Sequence, residues 1–133
     1  TIGCTSAYAP EEMFLVQDVY YRRNISHPYL QVIFSFDKNT TLPLYVIKEI
    51  SMKIGLALIL DRRQVFAAIH YLGKAAQKIH CHYMINYVSV DGALYSQTCS
   101  LRKYKKEVNE IIVPYGLKPI KMFDVDEYLQ NLA

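Results

Sequence analysis

Hydrophobic positions recur along this chain with two spacings, one typical of helices and one typical of strands. From 10 to 22 the apolar residues follow the helical period, and Pro10 suits the first turn of a helix. Between 31 and 36 apolar and polar residues alternate, as in a strand with one buried side. Along the whole chain the pattern predicts helices over 10–22, 42–56 and 100–115, strands over 31–36, 64–71 and 79–90, a return strand at 93–95, and a last helix at 124–132.

The order of these elements indicates an α+β fold. The strands at 64–71 and 79–90 are separated by a short polar stretch, and neighbouring strands joined this way pair antiparallel. Asp91 and Gly92 form a dipeptide typical of a tight hairpin turn. We therefore expect an antiparallel sheet with helices covering one face.

Alternation in the third strand places its histidines on one side. His80, His82 and Asn86 have the same parity, so their side chains point to the same face. The opposite parity is apolar and belongs on the core, with Ile79, Cys81, Tyr83, Ile85 and Tyr87. We expect the histidines to stand on an open face, with Asn86 further along the same row.

A third histidine is expected to join this pair. If the two strands form a hairpin, His70 comes close to opposite His80, and cross-strand neighbours lie about 5 Å apart. Three imidazoles at that spacing can bind one metal ion and leave open positions, as in catalytic metal sites. Cys81 is excluded as a ligand by its parity. The alternative is that all three histidines are ordinary surface residues.

Composition sets broad limits on function. The chain has 133 residues, 52% hydrophobic and 20% charged, which is typical of one folded domain. No apolar run is long enough to cross a membrane. Three cysteines without a CxxC pair argue against a disulfide framework and favour a reducing cytoplasm.

The net charge of +3 permits an anionic partner without requiring one. Metal-assisted displacement at a phosphate would use either water or a tyrosine hydroxyl as the attacking group. Several basic residues are candidates for contacts with nucleic-acid phosphates, although for each one a solvated charge on a helix or loop is the more common explanation. They are Arg22, Arg23, Lys74 and Lys78 first, then Arg62, Arg63, Arg102, Lys103, Lys105 and Lys106.

The sequence resembles the relaxase, or mobilisation nuclease, family of HUH endonucleases over most of residues 3–120. The segment from Lys78 to Asn86 (KIHCHYMIN) is similar to the family's histidine motif, and 29–37 (YLQVIFSFD) to a strand before it. Ala68-Ile69-His70 and Val88 to Gly92 are similar to the first ligand strand and the hairpin. The resemblance implies an antiparallel sheet of the HUH, ferredoxin-like type.

It also implies a function. His70, His80 and His82 would bind a divalent ion (Mg²⁺, Mn²⁺ or Zn²⁺), with Asn86 and Gln31 as polar neighbours. The substrate would be single-stranded DNA at the transfer origin of a plasmid or integrative element. The family's nucleophilic tyrosine lies in a motif before the Gly3-Cys4 segment, outside this sequence, so we expect an N-terminally incomplete domain.

Two further departures from the family pattern concern the site. Gln31 stands where the family often has histidine, and Leu72 where an aspartate commonly follows the first ligand. Because that aspartate would orient a histidine or accept a proton, and the family's tyrosine motif is also missing, we expect this chain to bind DNA weakly and to nick it poorly or not at all. An exposed sheet edge would also permit a homodimer.

Two alternatives stay open. One is a single-domain HUH transposase, whose nucleophile would come from a later helix: Tyr104, Tyr115 or Tyr128. The other is a nucleic-acid-binding module without catalysis, on a ferredoxin-like sheet.

Overall fold

The computed structural model describes residues 6–20, 28–58, 62–71, 78–94, 101–121 and 130. Their elements, in chain order, are helix α1 (Ala9–Val19), strand β1 (Tyr29–Ser35), helix α2 (Leu44–Leu58), strands β2 (Val65–His70) and β3 (His80–Asn86), helix α3 (Leu101–Ile112) and a 3-10 turn (Val113–Tyr115). The predicted α+β class is confirmed. The chain forms two compact units, 1–95 and 96–133.

The three described strands form one antiparallel sheet in the order β1-β3-β2. The predicted pairing of the two histidine strands is confirmed, since His70 lies directly opposite His80. On its other side β3 pairs with β1, which places Ser35 opposite His80 and Ile33 opposite His82. The central strand is therefore the one that carries two of the histidines.

Helix α2 covers the apolar side of the sheet. Cys81, Tyr83 and Ile85 of β3 are buried there, as their parity predicts. The apolar stripe of α2 is buried as well, and it contains Ile47, Ile50 and Ile54. The Tyr83 hydroxyl donates a 2.8 Å hydrogen bond to the carbonyl of Ser51, so the helix is held to the sheet by a polar contact within an apolar layer.

Helix α1 packs against the opposite end of β3 from the histidines. Met13 and Gln17 are buried at that point. The Met13 carbonyl accepts a hydrogen bond from the Asn86 side chain, and the Gln17 side chain donates one to it. Two acidic residues in the first turn, Glu11 and Glu12, suit the positive end of the helix dipole.

The predicted turn follows β3. The Gly92 N–H donates to the Ser89 carbonyl at 2.9 Å, and Gly92 has a φ of +84°. The return strand expected at 93–95 is reduced, within the described residues, to an isolated bridge between Val88 and Leu94. The Tyr20 hydroxyl donates to the Val90 carbonyl at 2.7 Å and so ties the end of α1 to this turn.

The second unit contains α3. Val108 and Ile112 are its buried apolar residues, and Gly116 ends the helical segment with a φ of +79°, as predicted. The Asn109 side chain accepts from the Ile120 N–H at 2.6 Å and donates to its carbonyl at 3.1 Å, which fixes the segment that follows. The helix predicted at 124–132 lies outside the described residues except for 130.

Among the residues that the structure describes, no helix is both long enough and apolar enough to span a membrane.

Candidate metal centre

Three histidine rings cluster at one end of the sheet. The ring centroids of His70 and His80 are 4.8 Å apart, those of His70 and His82 are 4.7 Å apart, and those of His80 and His82 are 4.9 Å apart. One ring nitrogen of each lies within 4.8 Å of the other two. The three rings therefore form a near-equilateral group, and each contributes one nitrogen donor to it.

The strands produce this group directly. His80 and His82 lie two residues apart on β3 and so point to the same side, and the register of β2 brings His70 beside His80. His70 is exposed, while His80 and His82 are half-buried. Cys81, between them, is fully buried on the other side, in agreement with its exclusion as a ligand.

The hydrogen bonds of His80 fix the tautomer of its neutral ring. Its Nδ1 lies 2.8 Å from the carbonyl oxygen of Lys78, and because a carbonyl only accepts, Nδ1 must carry the proton. The Nε2 atom of the neutral ring then offers a lone pair. His70 Nδ1 lies 3.1 Å from this Nε2 atom, so the two nitrogens converge on one region of space.

Gln31 orients the third ring. Its side-chain Nε2 lies 3.0 Å from Nδ1 of His82, across the pair of strands β1 and β3. An amide nitrogen donates, so this Nδ1 accepts; rotation of the amide would instead offer its oxygen to an Nδ1–H. When Nδ1 accepts, the neutral ring carries its proton on Nε2, whereas the rotated amide accepts from Nδ1–H and leaves the Nε2 lone pair available to a metal ion.

The histidines influence each other's charge. The pKa of His82 lies below its usual value, first because the ring is partly removed from water and then because His70 and His80 would repel its positive charge. A lowered pKa favours the neutral ring near pH 7. The neutral ring is the form that binds metal.

The expected position of Asn86 on the open face requires correction. Asn86 is fully buried, because α1 covers this end of the row. Its amide nitrogen donates to the Met13 carbonyl and to Gln64 Oε1, both at 3.0 Å. Its amide oxygen accepts from the Gln17 side chain at 2.9 Å and from the Val88 N–H at 3.1 Å. All its hydrogen-bonding capacity is used in joining elements, with none directed at the histidines.

The structure separates the basic candidates. Lys78 is exposed and lies two residues from His80. Arg63 is buried, and its guanidinium donates to the carbonyls of Asn86 and Tyr87, so it is a structural residue and not a surface contact for phosphates. Arg62 is exposed and pairs with Asp91 at 3.1 Å. Predictions for Arg22, Arg23, Lys74 and Leu72 fall outside the described residues.

Apolar side chains adjoin the histidines on the open side. Ile33 lies opposite His82 and is 53% exposed, and Met84 follows His82 on the same side of β3. Phe66 of β2 pairs with Met84. The sequence reasoning missed this apolar surface, since the pairing of β1 with β3 joins residues about fifty positions apart and leaves no local signal.

The family assignment comes from the chain as a whole. A family model described as "Relaxase: MobA/VirD2-like, nuclease domain" matches residues 1–117, a stretch that contains the sheet and all three clustered histidines. The chain belongs to this family. The search of curated proteins and the search of solved structures each gave no match.

The donor set of this relaxase domain fits a divalent ion. Imidazole nitrogens are ligands for Zn²⁺ and for other first-row divalent ions. His80 donates its Nδ1–H to the Lys78 carbonyl, the arrangement that metal-binding histidines usually show, and rotation of the Gln31 amide would give His82 the same arrangement. His70 Nδ1 already lies 3.1 Å from His80 Nε2. That separation is close to the roughly 3.3 Å expected between two nitrogens that share a tetrahedral ion.

Proposed function

We propose that this chain is a DNA-nicking relaxase domain in which His70, His80 and His82 hold a divalent metal ion against a phosphodiester of single-stranded DNA. The observation that carries the proposal is the near-equilateral histidine group on the open side of the sheet. Membership of the relaxase nuclease family supports the same reaction.

A bound divalent ion would act as a Lewis acid at a phosphoryl oxygen. The residues of this chain supply its placement. The carbonyl of Lys78 and the amide of Gln31 fix two of the three rings before binding, so little side-chain freedom remains to be lost. The attacking group in our proposal is the hydroxyl of the tyrosine that the family carries before the Gly3-Cys4 segment. Its oxygen would bond to phosphorus and give up its proton to water, while the 3′ oxygen of the cut strand departs with the electron pair and takes up a proton from water.

The surroundings of the histidines suit a single strand. Ile33, Phe66 and Met84 offer an apolar surface for unstacked bases, and the exposed ammonium of Lys78 can approach a phosphate. A transfer-origin sequence of a mobile element, within the cytoplasm, is the substrate we propose.

The metal site can be tested without any nuclease reaction. Adding Mn²⁺ or Zn²⁺ should raise the melting temperature progressively, by an amount equivalent to about 2.7 kcal/mol when the ion is at a hundred times its dissociation constant. In H80A and H82A the shift should disappear. Ser35→Ala is the matched control, since it removes only an exposed hydroxyl opposite His80. This variant should keep the full shift in melting temperature. Equal shifts in H80A and the parent would exclude these ligands.

DNA binding is tested separately with a pool of random single-stranded oligonucleotides. Fluorescence anisotropy should show tighter binding when Mn²⁺ is added, because the ion offers a positive charge to a phosphate, and the gain should vanish in H80A. A covalent protein–DNA adduct that disappears when Tyr104, Tyr115 or Tyr128 is replaced would favour the transposase-like alternative. Cleavage without an adduct would point to water. An anisotropy unaffected by metal in the parent chain would contradict the proposal.

A further inference from the structure

A cavity of about 220 Å³ lies between α2 and the apolar side of the sheet. Alternate residues of β2 form one wall: Val65, Ala67 and Ile69. Cys81 and Tyr83 form its floor. These two residues alternate along β3 with the clustered histidines, so the cavity lies on the opposite side of the strand from the proposed metal site.

One polar group inside this cavity is left unsatisfied. Ser51 lines the cavity and is only 4% exposed, yet its hydroxyl makes no hydrogen bond of normal geometry. The Tyr83 hydroxyl donates its hydrogen bond to the backbone carbonyl of Ser51. A buried hydroxyl without a partner costs about 1–3 kcal/mol. A ligand that accepts a hydrogen bond from Ser51 would recover this energy.

The cavity opens beside a cation. Lys48 lies one helical turn before Ser51 on α2, is exposed, and also lines the cavity. Within the part of the chain that the structure describes, Lys48 has no ion-pair partner, whereas the next lysine on this helix, Lys53, lies 3.8 Å from Glu49. The exposed side chain of Met52 completes the opening. An apolar interior thus meets an unpaired positive charge at its mouth.

We propose that this cavity binds a small amphiphilic carboxylate, with the carboxylate between Lys48 and Ser51 and the hydrocarbon body along β2. The size fits, because a dry cavity of about 150 Å³ already holds benzene. The carboxylate pairs with the ammonium and accepts from the Ser51 hydroxyl, while the hydrocarbon replaces the missing contacts of Ala67 and Cys81. The site is independent of metal, since every residue in it faces away from the histidines.

Octanoate is a suitable probe, with 1-octanol as its uncharged counterpart. In calorimetric titrations of the whole chain with a chelator present, octanoate should bind more tightly than 1-octanol. Lys48→Met should weaken octanoate binding about 2–5-fold and leave 1-octanol unchanged, as expected for a partly exposed ion pair. Lys53→Met, on the same helix but outside the cavity, is the matched control and should bind like the parent.

Two further variants locate the ligand. Ser51→Ala should weaken octanoate while leaving the melting temperature of the free chain unchanged or higher, because no existing side-chain hydrogen bond is lost. Ala67→Leu should fill the cavity and weaken binding of both probes about tenfold or more. If Ala67→Leu does not fold, chemical-shift changes at Cys81 and Tyr83 in the parent locate the ligand instead. Unchanged binding in K48M and S51A, or an absence of shifts at these two residues, would overturn the proposal.

Discussion

Glycine is required at position 92 for two separate reasons, one conformational and one steric. Its φ of +84° lies in the left-handed region, which costs a residue with a side chain about 1–2 kcal/mol. In addition, a Cβ placed there would lie 2.5 Å from Cδ1 of the Tyr20 ring. Gly116 has a similar φ of +79° but open space around it. A comparison of alanine substitutions at these two glycines therefore distinguishes the cost of backbone strain from the cost of steric overlap.

Gly92→Ala should destabilise the chain by about 1–3 kcal/mol more than Gly116→Ala, measured as the free energy of unfolding in urea. The excess should shrink in a Tyr20→Ala background, since the overlapping ring is then gone, and a double-mutant cycle gives that coupling. Equal losses for the two glycine variants in the Tyr20-containing chain would show that the ring moves aside freely.

Gln31 is the residue on which the orientation of His82 depends. Loss of a partner that orients a ligand ring typically weakens metal binding 10–100-fold. We expect Gln31→Ala to weaken Mn²⁺ or Zn²⁺ binding about tenfold by calorimetry, with Ser35→Ala again as the control on the same strand and side. An affinity that matches the control would mean that the 3.0 Å contact contributes nothing to the site.

At the scale of elements, Asn86 joins parts of the chain that are far apart in sequence. Through four hydrogen bonds it links β3 to α1, to Gln64 before β2, and to Val88 after β3. Asn86→Ala should cost about 3 kcal/mol of unfolding free energy, because several buried partners lose their hydrogen bonds. Asn39→Ala, at an exposed position, should change it by less than about 0.5 kcal/mol. A similar small loss for both would show that water replaces the Asn86 side chain.

The histidine strands should also make the metal-free chain sensitive to acid. The folded pKa of His82 is lowered, so the unfolded chain takes up the proton first as the pH falls, and folding stability is lost through the ordinary histidine pKa of about 6.5. Urea unfolding between about pH 7.5 and about pH 5 should show this loss, and the dependence should be shallower in His82→Asn. A slope unchanged by that substitution would assign the acid sensitivity to other groups.

Much of this level of structure could be predicted from the sequence. Alternation over 79–88 correctly placed Cys81 and Tyr83 on the core, because a strand has only two sides and one of them was apolar. Alternation predicts which side of the sheet a residue faces, but not which other element packs over that side. It therefore could not predict that α1, about seventy residues earlier, buries Asn86. The sheet order and the contact between Gln31 and His82 depend likewise on long-range pairing, which no local pattern encodes.

At the scale of the whole molecule, the family match and the compact units divide the chain differently. The match spans residues 1–117, whereas the boundary between the two units in the sequence falls between 95 and 96. We predict a single domain that unfolds in one transition. Far-ultraviolet circular dichroism and tyrosine fluorescence should then give the same melting temperature, and a bound metal should shift both curves together. Two transitions, only one of them moved by metal, would show that the units fold independently.

Strand β3 has a consequence for the kinds of genetic change that this gene can tolerate. Its odd residues belong to the core, whereas His80, His82 and Met84 belong to the open side, so a substitution at one of these positions damages one surface and spares the other. An in-frame deletion of one codon at Cys81 is different in kind. Every residue on one side of the deletion would then face the opposite side of the sheet. Either a histidine would enter the core or a tyrosine would be exposed to water. Related proteins should therefore show substitutions within this strand but no insertions or deletions.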